Sequence, residues 1–155
     1  MWLKKRILVP TDFGKPSQAA ADIGLELAQT FHVPLVLLHA YSVPQAIYSG
    51  VPMAPTQDYA LLYEKAQRES LENERTRLAA SGTELVSMLR PGDTWEEILA
   101  AAKELDADLI IMGTHGRRGL PRALLGSVAE KIVRLSPIPV LTVHGRSDAP
   151  PNGTS

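Results

Sequence analysis

The chain is expected to fold as one α/β domain, a doubly wound five-stranded parallel sheet in the strand order 3-2-1-4-5 with helices on both faces. Two observations predict this. Five short apolar runs alternate with longer stretches of helical spacing, and near-continuous apolar runs suit strands buried on both sides. The chain is also 155 residues long, 45% hydrophobic and 21% charged, enough for one core without disulfide or metal staples. Right-handed crossovers between successive parallel strands then wind the sheet in both directions.

The first strand is Ile7-Leu8-Val9, closed by Pro10. Ala20, Ile23, Leu27 and Phe31 step by three or four residues and mark the first helix. Leu35 to Ala40 forms the second strand behind Pro34. Ser42 to Gln57 carries Pro44, Gly50, Pro52 and Pro55 and is expected to be a long loop, either a lid or an insertion. The second helix, from about Asp58 to Ala80, is rich in charge. Its i, i+4 series Glu64, Arg68, Glu72 and the pair Lys65, Glu69 read as a solvated face.

Glu84 to Leu89 alternates and stops at Pro91-Gly92 as the third strand. Trp95, Ile98, Leu99, Ala102 and Leu105 make a full apolar stripe, opened by Thr94 and Glu97 at the spacing of a capping box. Leu109 to Met112 is the fourth strand, and Leu125, Val128, Ala129, Ile132 and Val133 stripe the last helix. Val140 to Val143, behind Pro137 and Pro139, is the fifth strand. Residues 1–144 make the domain. Residues 145–155, rich in Gly, Pro and Ser, are expected to be a flexible tail.

Bulk properties narrow the function. A formal net charge of −1 gives no general attraction to nucleic acid or to an anionic membrane. The absence of cysteine removes thiol catalysis and thiolate metal sites. Only three apolar residues separate the basic start from Pro10, too few for a signal-peptide core, and no run approaches a membrane span. A cytoplasmic location is expected.

The most telling residues are Gly113-Thr114-His115-Gly116, nine further residues, then Gly126-Ser127. A buried strand that ends in a glycine loop and feeds a helix start can bind phosphate, because the loop admits the anion and the helix offers N–H donors. In an open α/β sheet ligands sit beyond the strand carboxyl ends, where the winding reverses. The end of the first strand, Pro10-Thr11-Asp12, would share that crevice with Gly113. The loop is neither a Walker A nor a G-x-G-x-x-G fingerprint.

This constellation resembles the universal stress protein family, whose nucleotide-binding branch carries G-x2-G-x9-G-[S/T]. Gly113, Gly116, Gly126 and Ser127 reproduce it, and Val9 to Asp12, Leu38 to Ala40 and Pro139 to Val143 are similar to that family's flanking segments. The resemblance covers roughly Lys4 to His144. It implies ATP, with Mg²⁺, as ligand. Pro10, Thr11 and Asp12 would approach the sugar or a phosphate-bound cation, and Ala40 would line the adenine pocket. Met112, Gly113, His115, Gly116 and Arg117 would follow ribose and phosphates, while Gly126, Ser127 and Val128 would offer N–H donors. It also implies a homodimer through strand 140–143, an apolar edge that needs covering.

Each site residue also has a plainer role. Asp12 could cap the following helix, and Ser127 with Glu130 has capping-box spacing. His115 reads as a loop donor rather than a base. His32, His39 and His144 read as isolated structural residues. Arg117, Arg118 and Arg122 would either neutralise a triphosphate or form a solvated loop. Relatives often carry a serine where this chain has Gly14, which puts a first-loop serine in doubt. No activated nucleophile or paired carboxylates are visible, so at most slow ATP hydrolysis is expected from a regulatory, stress-response module. The alternative is a dimeric interaction protein that uses no nucleotide, with a protein partner the sequence does not name.

Overall fold

A computed structural model describes residues 1–79, 82–115 and 125–145. The elements run β1 (Ile7–Pro10), α1 (Lys15–Phe31), β2 (Leu35–Tyr41), β3 (Ala46–Tyr48), β4 (Val51–Met53), α2 (Gln57–Leu78), β5 (Leu85–Pro91), α3 (Thr94–Glu104), β6 (Leu109–Gly113), α4 (Ser127–Leu135) and β7 (Val140–Val143). The main sheet has the order β5-β2-β1-β6-β7, and every pairing in it is parallel. Numbered among the five sheet strands alone, that is the expected 3-2-1-4-5.

The sheet is buried on both faces because its strands alternate between two cores. Ile7, Val9, Leu35, Leu37 and Ile111 pack with Ala20, Ala21 and Ala28 of α1 and Leu71 and Leu78 of α2. Leu8, Val36, Leu38, Ile110 and Met112 face the other way, onto Ile98 and Ala101 of α3 and Ala129 and Ile132 of α4. Each fully buried Leu or Ile contributes about 1.5–3 kcal/mol, so the layers hold by many similar increments. The chain covers one face with α1 and α2 and the other with α3 and α4. The winding therefore reverses between β1 and β6.

Two expectations need correction. The segment from Ser42 to Gln57 is not all loop: residues 46–53 form an antiparallel hairpin, β3 with β4. Ser49 and Gly50 turn it with φ of 50° and 79°, the positive pair that a two-residue hairpin turn requires. The capping box at α3 does not form. Asp93 takes the N-cap position without a side-chain cap, while Glu97 accepts from Arg90 Nε at 2.9 Å. Glu104 first and then Glu97 hold the Arg90 guanidinium above its ordinary pKa. Of the expected tail only Gly145 is described, with Pro16 3.3 Å from where its Cβ would stand; residues 146–155 lie outside the described residues.

The charged helix α2 carries Arg68–Glu64 at 2.9 Å on its solvated side. It also has one buried acid that its sequence pattern hid. Glu74, 5% exposed, accepts from Arg77, which reaches on to Asp22 of α1 at 2.7 Å. That link ties the two helices on this face together.

Candidate functional site

The end of β1 is a tightly knit turn. Thr11 N–H donates to Leu38 O at 2.8 Å, which extends the sheet by one residue. Phe13 N–H then donates to Thr11 Oγ1 at 3.0 Å, and Gly14 N–H to Asp12 Oδ1 at 2.9 Å. Ser17, in the first turn of α1, places its hydroxyl 2.9 Å from Asp12 Oδ1 and 3.2 Å from Thr11 Oγ1. These bonds hold Phe13 at φ 67°, a left-handed conformation costly for an aromatic residue. Asp12 thus organises the turn, as a capping residue would, although Gly14 is the N-cap of α1. Gly14 has no hydroxyl, and the one that meets this turn comes from Ser17 of α1.

His39 braces this turn from β2. It is 8% exposed; its Nδ1–H donates to Thr11 O at 2.7 Å, and Nε2 pairs with Gln67 of α2 at 2.8 Å. Its ring lies 4.4 Å from that of Phe13. The structural reading of His39 is thereby given partners, since it joins the β1 turn to α2.

The end of β6 is built differently. A Cβ on Gly113 would come within 2.8 Å of Pro16 C and Cβ, so this glycine lets α1 press against the strand end. Its smallness serves packing first. Thr114 N–H donates to Val143 O at 3.0 Å and its carbonyl accepts from Gly126 N at 2.6 Å. Gly126 is the N-cap of α4, without a side-chain cap. Ser127 is therefore the first helical residue, and the expected Ser127–Glu130 capping box does not form. Gly116, Arg117, Arg118 and Arg122 lie outside the described residues.

Between these two ends lies a cavity of about 440 Å³, within the usual range for small-molecule pockets. Pro10, Thr11 and Asp12 line one wall, Met112, Gly113 and His115 another, and Gly126, Ser127 and Val128 a third, with Ala40 beside them. Every described residue expected at the site therefore comes together. Several were missed: Ser17, Leu38, His39, Thr94, Ile98, Thr114 and Ala129 also line it. Thr94 and Ile98 were findable in principle, because α3 must also start on the carboxyl side of a parallel sheet. The interior is apolar along Leu38, Ile98 and Met112 and polar toward Asp12, Thr114, His115 and Ser127. His144, expected to stand alone, lies 3.1 Å by Nδ1 from Thr114 Oγ1. Among the described residues no cluster of three or more His, Asp or Glu could hold a metal ion, and no helix is long and apolar enough to cross a membrane.

A profile of the Universal stress protein family matches residues 4–144. Universal stress protein MJ0531 of Methanocaldococcus jannaschii is 34% identical over 143 residues, covering 91% of this chain and 82% of that one. The solved structure of protein MJ0577 superposes with a TM-score of 0.69 at 28% identity, over 96% of this chain and all of the other. A universal stress protein solved in complex with cAMP superposes with a TM-score of 0.67 at 25% identity, over 93% of this chain and 99% of that one.

Proposed function

This chain belongs to the universal stress protein family, and on that footing we propose that its crevice binds an adenine nucleotide, ATP in the first instance. The observation that carries the reading is the start of α4. It closes a cavity at the point where the winding reverses, and its cap is a glycine with no side-chain bond. Helix N-termini present N–H groups and a positive dipole end to anions. The residues fit the group. Ala40, Leu38 and Ile98 offer an apolar wall to a base, and Gly126, Ser127 and Val128 offer amides to phosphates. The relative solved with cAMP supports the adenine part of the reading.

Mg²⁺ would arrive with the triphosphate, since the phosphates themselves supply most of its oxygens; Asp12 is the protein carboxylate nearest to hand. Hydrolysis is slow, below the roughly 1–10³ s⁻¹ of ordinary enzymes. The output is regulatory, in the cytoplasm. It is delivered through a homodimer: among the described residues β7 is paired on one side only, and Leu141 within it is 40% exposed. Light scattering on wild type and Leu141→Pro tests the dimer, and a wild type monomeric at micromolar concentration overturns it.

The test of binding is to identify the nucleotide that accompanies the purified protein, then to titrate ATP by calorimetry into wild type and Gly126→Val. The variant should lose at least tenfold in affinity, about 1.4 kcal/mol. Unchanged ATP affinity in a folded Gly126→Val protein would remove α4 from the site.

A further inference from the structure

Most polar side chains around the crevice are already engaged. The hydroxyls of Thr11 and Ser17 bond within the β1 turn, and both ring nitrogens of His39 have partners, Thr11 O and Gln67. On the side formed by the end of β2 and the start of α3, the crevice is lined by Leu38, Ala40, Thr94 and Ile98. Of these four only Thr94 has a polar side chain. Ile98 is buried and stands four residues further along α3, and residues four apart share one helix face. The face of α3 that bears Thr94 is therefore the crevice wall.

The place of Thr94 in its helix explains why its hydroxyl is unspent. Inside a helix a threonine bonds the carbonyl one turn back, as Thr30 does to Glu26 O at 2.8 Å and Thr76 to Glu72 O at 2.9 Å. Thr94 is the first residue of α3, so no helical turn precedes it, and the N-cap position belongs to Asp93. Among the described residues the Thr94 hydroxyl has no hydrogen-bond partner. The same helix start disfavours an anion. Asp93 stands at the cap and Glu96 and Glu97 in the first turn, and Arg90 offsets only one of the three, Glu97. A phosphate is thereby directed to the α4 end, and the α3 end is left to an uncharged group.

We propose that Thr94 is a specificity-determining residue, whose hydroxyl hydrogen-bonds the heterocycle of a bound nucleotide. It makes the apolar end of the crevice prefer a base with ring nitrogens and an amine over an apolar ring of similar size. The role rests on the nucleotide reading above. The side chains of Leu38, Ala40 and Ile98 offer a flat ring apolar surface alone, which discriminates poorly between rings. A hydroxyl both donates and accepts, so it can serve a ring nitrogen or an amine. Against an apolar ring it is cut off from water and left unpaired. That penalty, more than the bond itself, separates the two ligands.

Calorimetry on the full chain tests this with three ligands: ATP, the triphosphate of indole riboside, and inorganic tripolyphosphate. Indole keeps a flat bicyclic ring but has neither an amine nor a ring nitrogen free to accept. Thr94→Val keeps the shape of the side chain and removes the hydroxyl. It should weaken ATP about three- to tenfold, the scale of one ordinary hydrogen bond. The indole nucleotide and tripolyphosphate should bind no more weakly than to wild type, so the preference for ATP narrows. Thr94→Ser, which keeps the hydroxyl, should restore both ATP affinity and the preference. A merely structural role would instead weaken all three ligands alike. Equal losses for ATP and the indole nucleotide, or no loss for ATP, overturn the role of Thr94 while the nucleotide reading stands. A wild type that binds tripolyphosphate but gains nothing from the base of ATP ends the nucleotide reading and the role of Thr94 together.

Discussion

Of the helices that start at the crevice, two begin at a glycine without a side-chain cap, Gly14 for α1 and Gly126 for α4. Electrically they are opposites. The α1 end already has an anion: Asp12 takes Gly14 N–H and the Ser17 hydroxyl, and Pro16 in its first turn has no N–H to offer. The α4 end has no carboxylate at its cap among the described residues. Its first acid, Glu130, is solvent-facing and 4.0 Å from Arg134. One fold has thus built two similar helix starts and, among the described residues, set a carboxylate on only one. On the nucleotide reading proposed above, an incoming phosphate would be repelled where Asp12 stands and drawn to Gly126, with the first wall as template and the second as receptor.

The comparison breaks most visibly at Gly113, which joins the two walls. Gly113→Ala puts a Cβ 2.8 Å from backbone and ring atoms of Pro16. It should cost about 1–3 kcal/mol in denaturant unfolding, as overpacking does, and weaken ligand binding along with it. Gly126→Asp would convert the receptor into a second template. ATP affinity should fall by at least tenfold, about 1.4 kcal/mol, while melting is unchanged or rises, since a carboxylate suits a helix N-cap. Loss of both binding and stability in that variant would contradict the contrast.

A smaller effect is expected at the template wall. Asp12→Asn keeps an oxygen for Gly14 N–H and Ser17 but removes the charge. ATP without Mg²⁺ should bind a few-fold tighter, within about 1 kcal/mol, and the gain from adding Mg²⁺ should shrink. Unchanged titrations with and without Mg²⁺ would show that the Asp12 charge is not felt by the ligand. The smallest effect lies at the opposite end of the sheet. Burial acts to raise the Asp108 pKa, but the Lys4 and Lys5 amides at 2.7 and 2.6 Å outweigh it and hold the carboxyl below its ordinary value. Its stabilisation is therefore present above the ordinary aspartate pKa of about 3.9 and lost as pH falls through the lower folded value. Asp108→Asn should flatten that acid limb in pH-dependent melts and leave ATP affinity at neutral pH alone.

The strand order and both cores were legible because four sheet strands are apolar runs and the fifth, β5, alternates, each with Pro or Gly at one end, a signal that depends on few neighbours. The crevice was legible as far as its loops follow strands. The hairpin at 46–53 was not, because three-residue strands interrupted by Pro52 carry no usable period, although Ser49-Gly50 was a turn signal. Caps failed for a different reason. Thr94 and Ser127 have capping-box spacing, yet each lies one residue inside its helix, and Arg90 from another strand claims Glu97. The Thr114–His144 contact spans thirty positions and exists only because β6 and β7 are paired. Spacing along the chain cannot show a partner that the sheet supplies.

The hairpin of β3 and β4 leaves Ile47, Val51 and Met53 at 73, 62 and 52% exposure, the profile of a segment that could seed strand-on-strand growth into fibrils. Its own chemistry limits that growth. Pro52 has no N–H to add to a growing stack, Pro44 and Pro55 flank the segment, and three-residue strands offer little length for a cross-β register. The same prolines that hid the hairpin from a reading of its pattern thus serve as gatekeepers. Replacing Pro52 by Val would lengthen the shelf of available donors and lower the concentration at which the protein stays clear in storage.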